Sequence, residues 1–219
     1  QAAATPLKLR IVPLFFGPSR AISSMLPQVL SDVEAEFGPL ETRVAPPLCP
    51  LPEGESRLVD ILEAHVRGAL PPDTQTDPTD DAPPKSQVLV VDHGSPVPQV
   101  TAVREWLTQQ LATRLKDVPV GQAVMERRSG AEYDFNGALL EERLEQIAEA
   151  SQGQPVRVVL AMQFISPGRH AGDGGDIAEI AEAVCKRHDH LEVLPSPLIG
   201  AHPLFTALLA ERIRGINAD

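Results

Sequence analysis

Residues 87–95 read QVLVVDHGS, and this stretch decides the fold. Gln87–Asp92 is a short β-branched run, the pattern expected of a strand buried on both faces inside a parallel sheet. The residues that follow end it. Gly94 permits a sharp turn, while His93 projects from the strand end.

Reading outward toward the C-terminus, strands and helices alternate. Thr101–Leu115 carries Val103, Leu107, Leu111 and Leu115 at helical spacing, and Val118–Met125 reads as a second strand. Ala138–Ala150 is an amphipathic helix with Leu139, Leu140, Leu144 and Ile147 on one face. Val156–Ile165 is a third strand, Ile177–His188 a helix, Leu191–Leu194 a fourth strand and Pro203–Ile213 a closing helix. Uninterrupted strand–helix alternation implies an α/β fold, with a parallel sheet covered on both faces.

Toward the N-terminus the pattern is broken by Pro71–Gln87, PPDTQTDPTDDAPPKSQ, which has five prolines and no large apolar residue. Such a segment cannot contribute to a core and reads as a linker. Before it, the later half of the pattern recurs: strand Leu9–Phe16, helix Ile22–Phe37 and strand Thr42–Ala45. GPSRA at 17–21 stands where SPGRH stands at 166–170. Leu58, Ile61 and Leu62 fall where Phe205, Leu208 and Leu209 fall. We read an internal duplication whose first copy lacks a counterpart of VLVVDHGS. The expected organisation is therefore two related parallel-sheet parts: 1–70, incomplete; 71–87, a Pro-rich linker; and 88–219, carrying the site. The chain opens on Gln1 and not on Met, which leads us to expect a piece of a longer polypeptide.

The net charge of -11 disfavours nucleic acid and anionic membranes as partners and favours cations, divalent metals included. No apolar run approaches a membrane span, no signal-peptide pattern is present, and two cysteines cannot build a disulfide framework. A cytoplasmic protein is expected.

Two loops at strand ends carry the chemistry. One is Asp92–Ser95; the other is Ser166–Asp176, SPGRHAGDGGD, where four glycines surround His170. Ligands of open parallel sheets bind beyond the carboxyl ends of the strands, so both loops lie on the functional rim. Imidazoles there serve as transition-metal ligands or as proton acceptors near neutral pH. Glu126, just after the second strand, completes a His93–Glu126–His170 set that leaves positions open for substrate. Asp176 stands where a helix N-cap is expected. The remaining histidines read differently. His188 and His190 suit a helix C-terminus, His65 sits late in a helix, and His202 marks a helix start. The Gly-Asp-Gly-Gly-Asp run lacks the lysine and spacing of a phosphate loop.

Taken together, VLVVDHGSP, VMER, FISPGRHAGDGGDI and PLIGAHPLFTALLAERI resemble, in order, the motifs of the sirohydrochlorin cobaltochelatases and their relatives, the small CbiX-like class II tetrapyrrole chelatases. The similarity spans Gln87–Arg214 and extends more faintly to Leu9–Leu70. It implies insertion of a divalent metal, Co2+ first and Fe2+ or Ni2+ among relatives, into a reduced tetrapyrrole on the way to cobalamin. His93 and His170 match the metal-binding and proton-accepting histidines, and Glu126 the carboxylate. Metal insertion releases two pyrrole N–H protons, so a base beside the metal is required. Our own addition is that Arg169 and Arg20, with Arg127 and Arg128, pair with substrate carboxylates. Arg20-Ala21 stands where Arg169-His170 stands, which marks the first part as a degenerate half without a metal position. The rival reading is a non-catalytic metal- or tetrapyrrole-binding module of a larger protein.

Overall fold

The computed structural model describes residues 6–70 and 84–218. Within them the chain forms β1 (Leu7–Ile11), α1 (Leu26–Phe37), β2 (Leu40–Val44), α2 (Ser56–Ala69), β3 (Lys85–Asp92) and α3 (Pro98–Arg114). It continues through β4 (Val120–Val124), α4 (Leu140–Ala150), β5 (Val156–Met162), α5 (Asp176–Arg187), β6 (Leu191–Pro195) and α6 (Pro203–Ala218). All strand pairings are parallel. β4-β3-β5-β6 make a four-stranded sheet, and β1-β2 make a separate pair.

The QVLVV run is buried on both faces, as its composition implies. Val88 and Val90 face a core with Val159 and Ala161, covered by α2, α3 and α6. Leu89 and Val91 face the opposite core with Val158, Leu160 and Met162, covered by α4 and α5. The period of two along a strand sorts these neighbours into two layers.

Several element boundaries differ from the sequence reading. The third strand ends at Met162, three residues before Ile165, where its pairing with β3 runs out opposite Val91; its pairing with β6 has already ended at Leu160, opposite Pro195. The first strand ends at Ile11, ahead of Pro13 and short of the expected Phe16, and β1 pairs with β2 alone among the described residues. The helix expected over Ile22–Phe37 starts as a π-helical turn at Ala21–Met25 before α1 begins, since Pro27 cannot donate to the preceding turn. The expected linker lies outside the described residues over 71–83. Lys85–Gln87 of that stretch belong to β3, paired with Val156–Val158.

The two sheet-containing parts share a backbone pattern. Ala45 N donates to Ile11 O, Leu48 N to Phe15 O and Cys49 N to Phe16 O. In the second part Ser196 N donates to Leu160 O, Ile199 N to Phe164 O and Gly200 N to Ile165 O. These are the same three bonds, their acceptors at positions related by the offset that sets residues 17–21 against residues 166–170. One feature departs from a two-part picture: α2, from the first part, is buried in the second part's core. The Pro-rich stretch divides the sequence but not the core.

Candidate functional site

The site is built where β3, β4 and β5 end. Asp92 is buried at the tip of β3, and the guanidinium of buried Arg104 on α3 donates to it at 2.5 Å. Burial pushes the Asp92 carboxyl above its ordinary value, against the pull of Arg104. Arg104 also donates to Asn136 O and to Gln122 Oε1. Asn136 in turn clamps Ser95 from both sides: Ser95 N donates to its Oδ1 at 3.1 Å, and its Nδ2 donates to Ser95 O at 2.9 Å. A buried, mutually satisfied network of this kind fixes the path of residues 92–95.

Between these anchors Gly94 adopts φ +96°, and a Cβ there would lie 1.9 Å from Glu126 O. Only glycine permits that approach. Met125 N donates to Asp92 O and Glu126 N to His93 O, so the strand ends stay zipped past the sheet. This places His93 Nε2 3.3 Å from Glu126 Oε1, while His93 Nδ1 lies 3.2 Å from Gly94 O. If Nδ1 carries the ring proton toward Gly94 O, Nε2 and the carboxylate oxygen face one another as two acceptors. That arrangement is favourable only with a proton or a cation between them.

His170 arrives from the loop after β5. Its ring meets His93 edge to face, with centroids 4.6 Å apart. His170 Nδ1 is 2.5 Å from Asp176 Oδ2. Asp176 is therefore not the N-cap expected from sequence. Gly175 occupies the cap position, and the Asp176 side chain, at the first residue of α5, is held by the imidazole. Asp176 N and Ile177 N donate back to Arg169 O and His170 O, which ties the loop to the helix start. A carboxylate on Nδ1 sets the tautomer that leaves Nε2 as a lone-pair donor, the arrangement common for metal-binding histidines. Among the described residues no group of three or more His, Cys, Asp or Glu side chains is arranged to hold a metal ion. What the site offers is two imidazoles and an exposed carboxylate in an open arrangement.

His93 sits where two depressions meet. A cleft of about 400 Å³ is walled by Leu14, Phe15, Phe16, Gly17 and Ser19 on one side and by Asp92–Gly94, Val100 and Gln163–Ser166 on the other. A second groove, of about 340 Å³, runs past Glu126, Arg127 and Arg128. Arg127 donates to Asp134 at 3.0 Å, and Arg128 lies over the Tyr133 ring. Arg169 is 85% exposed, 3.9 Å from Asp176, and Arg20 is exposed at the start of the π-helical turn; neither lines the cleft. The other histidines are packing residues. His188 pairs with Glu145 and His190 with Ala148 O, while His65 and His202 meet edge to face.

The sequence reading missed Arg104, Asn136, Gln163 and the Phe15 wall. For Arg104 a signal existed, a charge beside the apolar stripe of α3. The other three gave none, since an isolated Asn, Gln or Phe carries no spacing to read.

The CbiX family model matches residues 87–216. No curated protein matches the chain. Solved structures share its fold, three of them as follows. SirB from Bacillus subtilis with Fe3+ is 14% identical with a TM-score of 0.66, over 95% of this chain and 71% of that one. The sirohydrochlorin chelatase SirB from Bacillus subtilis subspecies spizizenii in complex with cobalt is 13% identical with a TM-score of 0.62, over 95% and 69%. CbiX, described as the terminal enzyme for biosynthesis of siroheme in denitrifying bacteria, is 18% identical with a TM-score of 0.53, over 94% and 74%.

Proposed function

The chain belongs to the CbiX family, and from that premise we propose that it inserts a divalent metal ion into a reduced tetrapyrrole of the sirohydrochlorin class. The observation that carries the reading is the convergence of His93 and His170, ring to ring at 4.6 Å, each with its own carboxylate. The metal is a substrate here. His170 Nε2, with its tautomer set by Asp176, and His93 Nε2 present lone pairs to it, and Glu126 supplies negative charge. Loss of two pyrrole N–H protons needs acceptors within hydrogen-bond reach. The His93–Glu126 pair is suited to accept and pass them to solvent, since both side chains are exposed.

The tetrapyrrole lies in the cleft against the apolar wall of Leu14, Phe15 and Phe16. Its carboxylates reach outward to Arg127 and Arg128, with Arg169 and Arg20 farther out on the rim. We assign Co2+ as the metal and cobalamin synthesis as the destination. One similar structure holds cobalt, another holds Fe3+, and a third is tied to siroheme, so Fe2+ and Ni2+ are tested beside it. Residues 1–70 read as a degenerate half that supplies the passive wall. No helix among the described residues is long and apolar enough to cross a membrane, and the two free cysteines suit a cytoplasmic enzyme.

The test is an insertion assay with sirohydrochlorin and each metal, followed by absorbance. The parent chain should turn over, and His93→Ala and His170→Ala should each abolish both turnover and tight Co2+ binding by calorimetry. Metal binding without turnover would reduce the chain to a binding module. Variants that bind cobalt as the parent does would move the site elsewhere.

A further inference from the structure

The two depressions that meet at His93 differ in charge. Among the described residues lining the cleft there is no arginine or lysine. The groove is lined by Arg127 and Arg128 together with His93 and Glu126. Of the two, only the groove offers cations to a carboxylate at the edge of a tetrapyrrole. The two arginines are not equivalent. Arg127 Nη1 donates to Asp134 Oδ1 at 3.0 Å, so an incoming carboxylate competes with one already in place. Arg128 is exposed, and among the described residues no carboxylate pairs with it. Its Cζ lies 5.8 Å from the centroid of the Tyr133 ring. Attraction to the ring face restrains a long cationic side chain while using none of its five N–H donors.

One short turn holds both these groups and the metal side of the site. Ala131–Asn136 form a 3-10 turn that carries Tyr133 and Asp134, the partners of the two arginines. Its last residue, Asn136, is 1% exposed, and its amide is bonded at every position. Oδ1 accepts from Ser95 N and Thr101 Oγ1, and Nδ2 donates to Ser95 O and Tyr133 O. Ser95 is two residues from His93. A single hydrogen-bonded unit therefore joins Tyr133, through Asn136, to the loop that carries His93. The placement of Arg128 relative to His93 is set by folding and not by the substrate, which lowers the cost of ordering on binding.

We propose that Arg128 is the specificity-determining residue for a peripheral carboxylate of the tetrapyrrole, and that Tyr133 is the residue that positions it. This deepens the chelatase reading and rests on it. A guanidinium meets a carboxylate with two parallel N–H donors. A carboxylate held at Arg128 fixes one edge of the macrocycle relative to His93, so the ring is presented to the metal in one orientation. Arg127, which must first release Asp134, contributes less. The groove accordingly selects macrocycles with acidic side chains over neutral ones built on the same ring. Metal insertion leaves the peripheral carboxylates unchanged, so the contact is made equally before and during the reaction. Its loss is felt in KM and not in kcat.

The experiment is steady-state Co2+ insertion by the full chain into sirohydrochlorin and into its fully methyl-esterified form, alongside thermal melting. The parent should show a lower KM for the acid than for the ester. Arg128→Ala should raise KM for the acid roughly 10-fold, with kcat and the ester's KM each within about twofold of the parent's. Its Tm should equal the parent's, because the side chain is exposed. Arg127→Ala should raise KM for the acid by less than about threefold. Tyr133→Leu should raise it roughly 3-fold by loosening Arg128, and Tyr133→Phe, which keeps the ring, should match the parent. An unchanged KM in Arg128→Ala overturns the proposal, and so does an equal loss for acid and ester. Tyr133→Phe as impaired as Tyr133→Leu overturns the positioning role, since the hydroxyl and not the ring would then matter. A parent chain that neither binds nor metallates a tetrapyrrole overturns the functional reading itself. A parent that turns over while Arg128→Ala matches it overturns this proposal alone.

Discussion

Asp176 shows how much one side chain's role depends on what lies across a loop. From sequence it is one more acid at a helix start, indistinguishable from a cap; in the folded chain its Oδ2 sits 2.5 Å from His170 Nδ1. Removing its charge while keeping its shape should loosen the ring and weaken its basicity. Asp176→Asn is expected to lower metal affinity or insertion rate by roughly 10–100-fold, the usual effect of losing such a partner. The melting temperature should hardly move, since the pair is only partly buried. A variant as active as the parent would return Asp176 to a local structural role. His93, Glu126 and His170 were legible because each combines a suitable residue type with a strand end. Asp176, Arg104 and Asn136 were not, because their meaning lies in contacts across 6 to 41 positions of chain, which no local spacing encodes.

Strand and helix existence was legible along nearly the whole chain, since apolar periodicity survives folding. The ends were not, because they depend on which partner each strand finds: β6 pairs only as far as Leu160 of β5, while β5 runs on to Met162 against β3. Gln163–Ile165, just past that end, wall the cleft. A second element-level effect concerns the joint of α2 with the start of α6. Burial, first, and the neighbouring His202 hold the His65 imidazole below its ordinary 6.5, against an opposing pull from the Pro197 backbone. Just below pH 6.5 the unfolded chain therefore binds a proton that the folded chain does not. The stability this contributes is complete above the unfolded value and is lost as pH falls below it. His65→Gln removes the titration while keeping a polar side chain of similar reach. Chemical denaturation between pH 7.5 and 5.5 should show a shallower loss in the variant than in the parent, and parallel curves would assign the acid sensitivity elsewhere.

At the scale of the molecule, the duplication and the division of the chain separate. The repeated backbone bonds after β2 and β6 give the two parts the same local path. The cores argue that they are not independent bodies. Leu58, Val59, Ile61, Leu62 and Val66 of α2 are at most 1% exposed and share one cluster with Val88, Val103, Leu107 and Val159. Arg114 reaches back from α3 to pair with Asp60 and Glu63, and Arg43 donates to Ile216 O at the far end of α6. Full burial of a large aliphatic side chain is worth roughly 1.5–3 kcal/mol, so five of them contribute about as much as the whole net stability of a typical domain. Residues 84–219 expressed alone, although they hold every proposed metal-site residue, should therefore melt without a cooperative transition or aggregate through the bared sheet face. The complete chain, cut after folding at a protease site inserted within 71–83, should instead elute as one particle and keep its insertion activity, because α2 stays docked without the covalent link. Size-exclusion chromatography and thermal melting of the two preparations decide it. A monomeric 84–219 fragment with the parent's Tm would show that the second part carries a sufficient core of its own, and that α2 only adds a wall to the cleft.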